Sequence, residues 1–256
     1  MTSGRPARAS NVIVASHPRS GTHFLINTLA LNFGFSARPI ESDVTSGADF
    51  YLSRHFRGFL EGARATGSGR LIKEHHHFAF FADVLDVLRR HFIVFYVYRN
   101  PADTISSYWR YVRAAERREG PRCATAGDFM RAAPEAGMLR YQMEQHDTVL
   151  DRWRSHVDAW TTLGVSEAGV VPIKYEDLNL DFAATVAALA SRLGLACPSP
   201  VRPSPAARVI VPGPGRVGGY RDVMSDEDIA FIREKTQPTL SRLDLDRYLP
   251  PIAGAR

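Results

Sequence analysis

The chain has 256 residues, with 32 Lys+Arg against 27 Asp+Glu and a formal net charge of +5; 45% of residues are hydrophobic and 23% charged. These proportions belong to a globular chain and exclude a disordered, collagen-like or coiled-coil one. The length suits one α/β domain with a large core, read here as residues 11–247 between a polar tail at 1–10 and a second tail at 248–256.

The first eleven residues carry Arg5 and Arg8 but no apolar stretch of the secretory kind. The longest apolar run, residues 92–98, is too short for a bilayer and is expected to be a buried strand, so no membrane partner is expected. Cys123 and Cys197 are the only cysteines, which leaves no disulfide framework and points to a reducing cytoplasm. The basic excess suits an anionic ligand, while the lack of a Lys/Arg-rich block argues against nucleic acid.

In chain order, residues 11–15 form a short apolar strand that ends in His17-Pro-Arg-Ser-Gly-Thr22. A helix with Phe24, Leu25, Leu29 and Phe33 on one face follows and stops at Gly34. Residues 35–50 read as loop and 50–65 as helix. A brief strand at 70–73 runs into Glu74-His-His-His77, and an amphipathic helix covers 78–90. The strand at 91–98 precedes a helix opened by Asn100-Pro101, where proline is tolerated.

Residues 120–137 look irregular, a long helix is expected over 138–163, a strand over 169–174 and a helix over 177–193. The Pro/Gly-rich stretch 198–222 reads as a linker or a ligand-covering loop. Ser225 and Asp228 form a capping box for a last helix to about Leu243. Strands alternating with helices imply a mainly parallel sheet, whose ligands lie beyond the carboxyl ends of the strands.

The 17–22 loop joins a strand end to a helix N-terminus, where unpaired N–H groups and the helix dipole favour an anion. Gly21 permits close approach, Ser20 and Thr22 bring hydroxyls, and Arg19 brings a permanent charge. The competing reading is a helix start with a solvated arginine. The Walker A pattern is absent, so a phosphate site without an obligatory metal is expected. Arg99 leaves the second strong strand at its carboxyl end, and Ser107 lies about two helical turns on. The two either bracket an anion or, more simply, Arg99 pairs with Asp103.

Together these segments resemble the sulfotransferases that use 3′-phosphoadenosine-5′-phosphosulfate (PAPS). The family loop P-[KR]-S-G-T-[TS] appears as Pro18-Arg-Ser-Gly-Thr22-His23, its R-[ND]-P-x-D-x-x-x-S segment as Arg99 to Asp103 with Ser107, its I-K-T-H segment as Ile72-Lys-Glu-His75, and its Y-E-D-L segment as Tyr175 to Leu178. Residues 153–160 also look like a family helix. The matches run in family order from residue 12 to about 178. The C-terminal loop departs from the family R-K-G-x-x-G-[DG]-W: Gly213 and Pro214 stand at the Arg-Lys positions, so Arg208 or Arg216 replaces that contact or it is missing.

The resemblance implies a P-loop-like three-layer α/β fold with a mainly parallel central sheet flanked by helices. It implies in-line transfer of a sulfuryl group from PAPS to a hydroxyl or amine of a small-molecule acceptor, with no metal. It assigns donor binding to Arg19, Ser20, Gly21, Thr22, His23, Phe24, Arg99, Ser107, Tyr175, Arg216 and Gly218. Arg19 and Lys73 stabilise transferring charge. His75 is the candidate base, with Glu74 as its competitor and a plain surface histidine run as the bland reading. Phe24 is equally suited to the core, and Trp109, Trp153 and Trp160 suit packing. A nucleotide kinase and an inert nucleotide binder are the alternative functions; the acceptor and the oligomeric state are not legible.

Overall fold

The computed structural model describes residues 11–36, 39–41, 53–65, 69–204 and 215–251. Among the described residues, five strands form one parallel sheet in the order β2-β3-β1-β4-β5. They are β1 (Asn11–Ser16), β2 (Ile40–Glu41), β3 (Leu71–Glu74), β4 (Phe92–Tyr98) and β5 (Val171–Lys174). The apolar runs form strands because β-rich segments buried on both faces tolerate apolar residues at consecutive positions. The chain leaves β1 for β2 and β3 on one side, then crosses to β4 and β5 on the other. The end of β1 is therefore the switch point of the sheet.

The alternation of side chains across β1 sets the layers. Val12 and Val14 pack with Leu25, Ile26 and Leu29 of α1 (Thr22–Phe33) and with Leu189 and Leu193 of α9 (Phe182–Leu193). Ile13 and Ala15 face the opposite core, with Ile72, Tyr96, Trp153 and Trp160. Helices α2 (Ser53–Ala65), α3 (Leu85–His91), α4 (Pro101–Ala114), α5 (Ala126–Arg131), α6 (Val149–Thr161) and α7 (Leu163–Ala168) follow in the chain, then α8 (Tyr175–Leu180), α9 and α10 (Asp226–Arg242). The Trp160 ring stacks on Tyr96 at 5.2 Å and 5°, and its N–H donates to His76 O at 3.0 Å. Truncating such a buried indole costs about 3–5 kcal/mol. Trp153 is equally buried, and the half-buried Trp109 donates to Cys123 O, so all three tryptophans pack.

Several expected boundaries shift. The expected helix over 78–90 opens as a 3-10 turn, Phe78–Val84, before α3. The long helix over 138–163 is instead a 3-10 segment, Ala136–Tyr141, an irregular stretch, and α6. Thr148 starts α6 by accepting from Asp151 N at 3.0 Å, and Thr125 starts α5 inside the supposedly irregular region by accepting from Asp128 N at 3.0 Å. Both are Thr-x-x-Asp caps readable in the sequence. The 177–193 helix begins at Tyr175 and breaks at Asp181, and the 35–50 loop contains β2. The Ser225–Asp228 capping box is present. The packed chain also runs past the expected end at 247: Leu249 is buried, and Arg233 holds the carbonyls of Leu249 and Pro250 at 2.8 and 3.0 Å.

Candidate active site

The loop after β1 is held in an uncommon backbone shape. Ser20 N donates to His17 O at 3.2 Å, and Arg19 has φ +71°. A left-handed non-glycine residue costs about 1–3 kcal/mol and persists only where its surroundings hold it. Gly21 follows at φ +106° and caps α1 with no side-chain hydrogen bond. The N-terminal amides and dipole of α1 are thus turned toward the end of the sheet. Thr22 Oγ1 meets Ser16 Oγ at 2.5 Å, so that hydroxyl fastens the loop to β1.

Gly21 is required twice over. A Cβ there would lie 2.2 Å from Tyr175 Cδ2, and Tyr175 is itself held by a hydrogen bond from its hydroxyl to Gly215 O. Gly21→Ala is expected to destabilise the protein by about 1–3 kcal/mol, read as a lowered urea midpoint. An unchanged midpoint would show that the Tyr175 ring yields freely.

The second motif reaches the same place. Arg19 Nε donates to Ser107 Oγ at 3.3 Å, joining residues 88 apart in sequence. Arg99 pairs with Asp103 at 3.4 Å, donates to Arg216 O at 2.8 Å and lies over the Tyr175 ring at 4.3 Å. The ion pair with Asp103 and the placement beside the Arg19 loop therefore hold together. Burial and the neighbouring Arg99 guanidinium lower the Arg19 pKa, as expected where two cations share a recess. Ser20 Oγ and Arg99 Nε are both buried without a hydrogen-bond partner. Two orphaned donors beside a helix N-terminus suit an anion with several oxygens.

Asn100 and Asp103 anchor this corner. Asn100 caps α4 by accepting from Asp103 N at 2.9 Å, and its amide donates to Glu176 Oε1 at 2.8 Å. Burial raises the Glu176 pKa. Asp103 accepts from the N–H groups of Gly218 and Tyr220 at 2.8 and 3.0 Å. Gly218, named among the donor-binding residues, thus gives its amide to Asp103 and fastens the C-terminal loop to α4. The Arg216 guanidinium turns to Asp222 and is 54% exposed; only its carbonyl meets Arg99. Arg208 lies outside the described residues. Phe24 stands edge-on to Tyr175 at 6.0 Å, with Arg202 over its ring at 5.3 Å.

The histidine triplet divides three ways, because β3 ends at Glu74 and strand alternation stops there. His75 Nδ1 lies 2.8 Å from Ser16 O. A carbonyl only accepts, so Nδ1 carries the proton and Nε2 keeps a lone pair. Burial, then the Lys73 ammonium, push the His75 pKa down to about 3, with His23 adding to the effect. His76 stacks on Phe80 at 4.1 Å and its Nδ1 meets Glu74 Oε1 at 2.5 Å. That same oxygen accepts from His75 N and His76 N at 2.8 and 3.1 Å. The oxygen is saturated and pins the backbone that carries His75. His77 turns away to Ser155 O at 3.3 Å. Among the described residues no group of three or more His, Cys, Asp or Glu could hold a metal.

Three groups behind the site were not singled out from the sequence: His17, Arg152 and His156. The last two lie on the buried stripe of α6 with Val149, Trp153, Val157 and Trp160. Their helical spacing on an apolar face is the signal that finds them. His156 Nε2 donates to His75 O at 3.1 Å, and its Nδ1 lies 2.9 Å from the Tyr96 hydroxyl.

Comparison with known proteins agrees with this geometry. Mouse sulfotransferase SULT7A1, complexed with PAP, superposes with a TM-score of 0.62 at 17% identity over 89% of this chain and 86% of that one. Retinol dehydratase, in a complex with retinol and PAP, gives 0.56 at 18% identity over 92% and 82%. Both share the P-loop-like α/β fold. Sulfotransferase 4A1 of Mus musculus is 27% identical over 193 residues, which is 75% of this chain and 62% of that protein, and the Homo sapiens protein is 26% identical over the same span. The chain thus spans about three fifths of the length of these curated relatives. The family model described as "Sulfotransferase domain" matches residues 9–203. With that model covering most of the chain, and with the β1 loop, the strand-end arginine and the His75 segment gathered at one end of a parallel sheet, this chain belongs to the sulfotransferase domain family.

Proposed function

We propose that the protein transfers a sulfuryl group from PAPS to a hydroxyl or amine of a small-molecule acceptor, with His75 as the base. The observation that carries this reading is the meeting of Arg19, Ser107 and Arg99, with two orphaned donors, next to an imidazole whose Nε2 is free to accept a proton. Two proteins of this fold are complexes with PAP, the bisphosphate left when PAPS has given up its sulfuryl group.

The α1 amides, Ser20, Gly21, Thr22 and His23 would hold the 5′ end of the donor, with Arg19 and Lys73 balancing its charge. Arg99 and Ser107 would hold the 3′-phosphate, with Phe24 and Tyr175 beside the base. The C-terminal loop would contribute indirectly, with Arg216 O holding Arg99 and the Gly218 amide holding Asp103. When bound, the donor supplies a sulfuryl group whose S–O bond to phosphate breaks as a bond to the acceptor forms. His75 Nε2 takes the acceptor's proton. Negative charge delivered beside it would oppose the effect of Lys73 and raise its pKa, while burial, the larger cause, still lowers it. Glu74, already accepting three donors at Oε1, orients His75. The proposed setting is the cytoplasm, in keeping with two free cysteines. No helix among the described residues is long and apolar enough to cross a membrane.

Adenosine 3′,5′-bisphosphate at a hundred times its Kd is expected to add about 2.7 kcal/mol of stability, while ATP with Mg²⁺ adds little. A larger thermal shift with ATP–Mg²⁺ would replace this reading by a kinase. A bisphosphate shift without sulfate transfer to any of a broad panel of phenols, alcohols and amines would leave only a nucleotide binder.

A further inference from the structure

Arg152 is fully buried, yet no carboxylate lies within ion-pair distance of it among the described residues. Its Nη1 lies 2.6 Å from His17 Nε2, its Nη2 donates to Met138 O at 3.2 Å, and its Nε has no partner. A buried cation left in this state is costly, and the groups it meets are therefore informative. A guanidinium only donates, so His17 Nε2 must carry a lone pair. His17 Nδ1 lies 2.9 Å from Pro18 O, a carbonyl that only accepts, so Nδ1 must carry the proton. Both ends of the imidazole are thus assigned, and one neutral tautomer is the only form that satisfies them.

We infer that Arg152 is a positioning residue for the donor loop, acting through His17 to hold the Pro18 carbonyl and with it the left-handed Arg19. The other arm of the same guanidinium fixes Met138, in the 3-10 segment whose Tyr141 ring lies 5.6 Å from His75. One side chain of α6 therefore ties the anion-binding loop to the wall beside the base. The guanidinium touches neither reacting atom; it fixes the backbone shape on which Arg19 and the α1 amides are presented. Its unbalanced charge also adds to the positive field at that loop.

The functional half of this inference rests on the proposed bisphosphate site, so the test has two independent readings. In the wild-type protein, ¹⁵N NMR of the histidine side chains at pH 7.5 is expected to show His17 as the Nδ1–H tautomer. Arg152→Met is expected to leave that tautomer, which the Pro18 carbonyl also holds, but to shift the His17 Nε2 signal by removing its donor and to weaken binding of adenosine 3′,5′-bisphosphate at least 10-fold, with Arg152→Lys in between. His17→Phe is expected to weaken binding similarly, and the double variant no further than either single one, because both act along one path. If Arg152→Met does not fold, Arg152→Lys and His17→Phe carry the same comparison. A His17 Nε2 signal that is the same with and without Arg152, or fully additive losses in the double variant, would overturn the inference. Absence of bisphosphate binding in the wild type would instead remove the proposed function, with the Nε2 signal still deciding the Arg152–His17 link.

Discussion

His75→Ala is expected to lower kcat by about 10²- to 10⁴-fold, the range for losing a general base, while the Kd for adenosine 3′,5′-bisphosphate changes less than about 3-fold. The split follows from the geometry. The imidazole is fastened by Nδ1 to Ser16 O and offers Nε2, whereas the groups assigned to the nucleotide are Arg19, Ser20, Arg99 and Ser107. Removing the ring takes away a proton acceptor and leaves the anion-binding groups in place. The pH profile gives a second check. With a pKa near 3 in the free protein, His75 is neutral throughout the working range, so kcat/KM is expected to be flat from pH 6.5 to 8. Full turnover in His75→Ala would move the base elsewhere. Glu74→Gln then becomes the deciding variant, because Glu74 is the competing base of the same segment.

The second large effect is acid unfolding. His17, His75 and His156 are enclosed as neutral rings; burial lowers the pKa of each, and for His17 and His156 the Arg152 guanidinium is the next cause. In the unfolded chain each titrates near its ordinary value of about 6.5. Below that pH the unfolded state binds protons that the folded state refuses, so stability is complete above about pH 6.5 and is lost as pH falls toward the depressed folded values. Each such histidine costs about 1.4 kcal/mol per pH unit, so three cost about 4 kcal/mol at pH 5.5. A domain has only about 5–15 kcal/mol in total. Urea unfolding at pH 7.5, 6.5 and 5.5 is expected to show this fall, with a slope near three protons. A slope below one proton, or greater stability at pH 5.5 than at 7.5, would show that these rings charge without penalty.

Much of the site was legible because it is written in contiguous segments. The β1 loop, the Arg99 strand exit and the Tyr175 segment each combine an apolar strand with a local turn, and a parallel sheet puts every such exit at one end. Helix starts are local too: the Asn100, Thr125, Thr148 and Ser225 caps all bond to a backbone N–H three residues on. Two of these, Thr125 and Thr148, are masked in the sequence: flanking prolines and glycines suggest irregular chain at 120–137, and the polar residues at 142–148 do not interrupt the expected helix.

The parallel α/β architecture is readable from apolar periodicity and cap spacing, which act over a few residues, and the family resemblance and the segments of the candidate site from contiguous motifs. Packing between distant elements sets the rest: which imidazole offers a free nitrogen, the donors on Glu74 Oε1, the Gly218 amide on Asp103, and Arg152 on His17 across 135 residues of chain. A hydrogen bond is chosen by whichever donor and acceptor packing brings within about 3 Å, and strand alternation carries no record of a partner on another element.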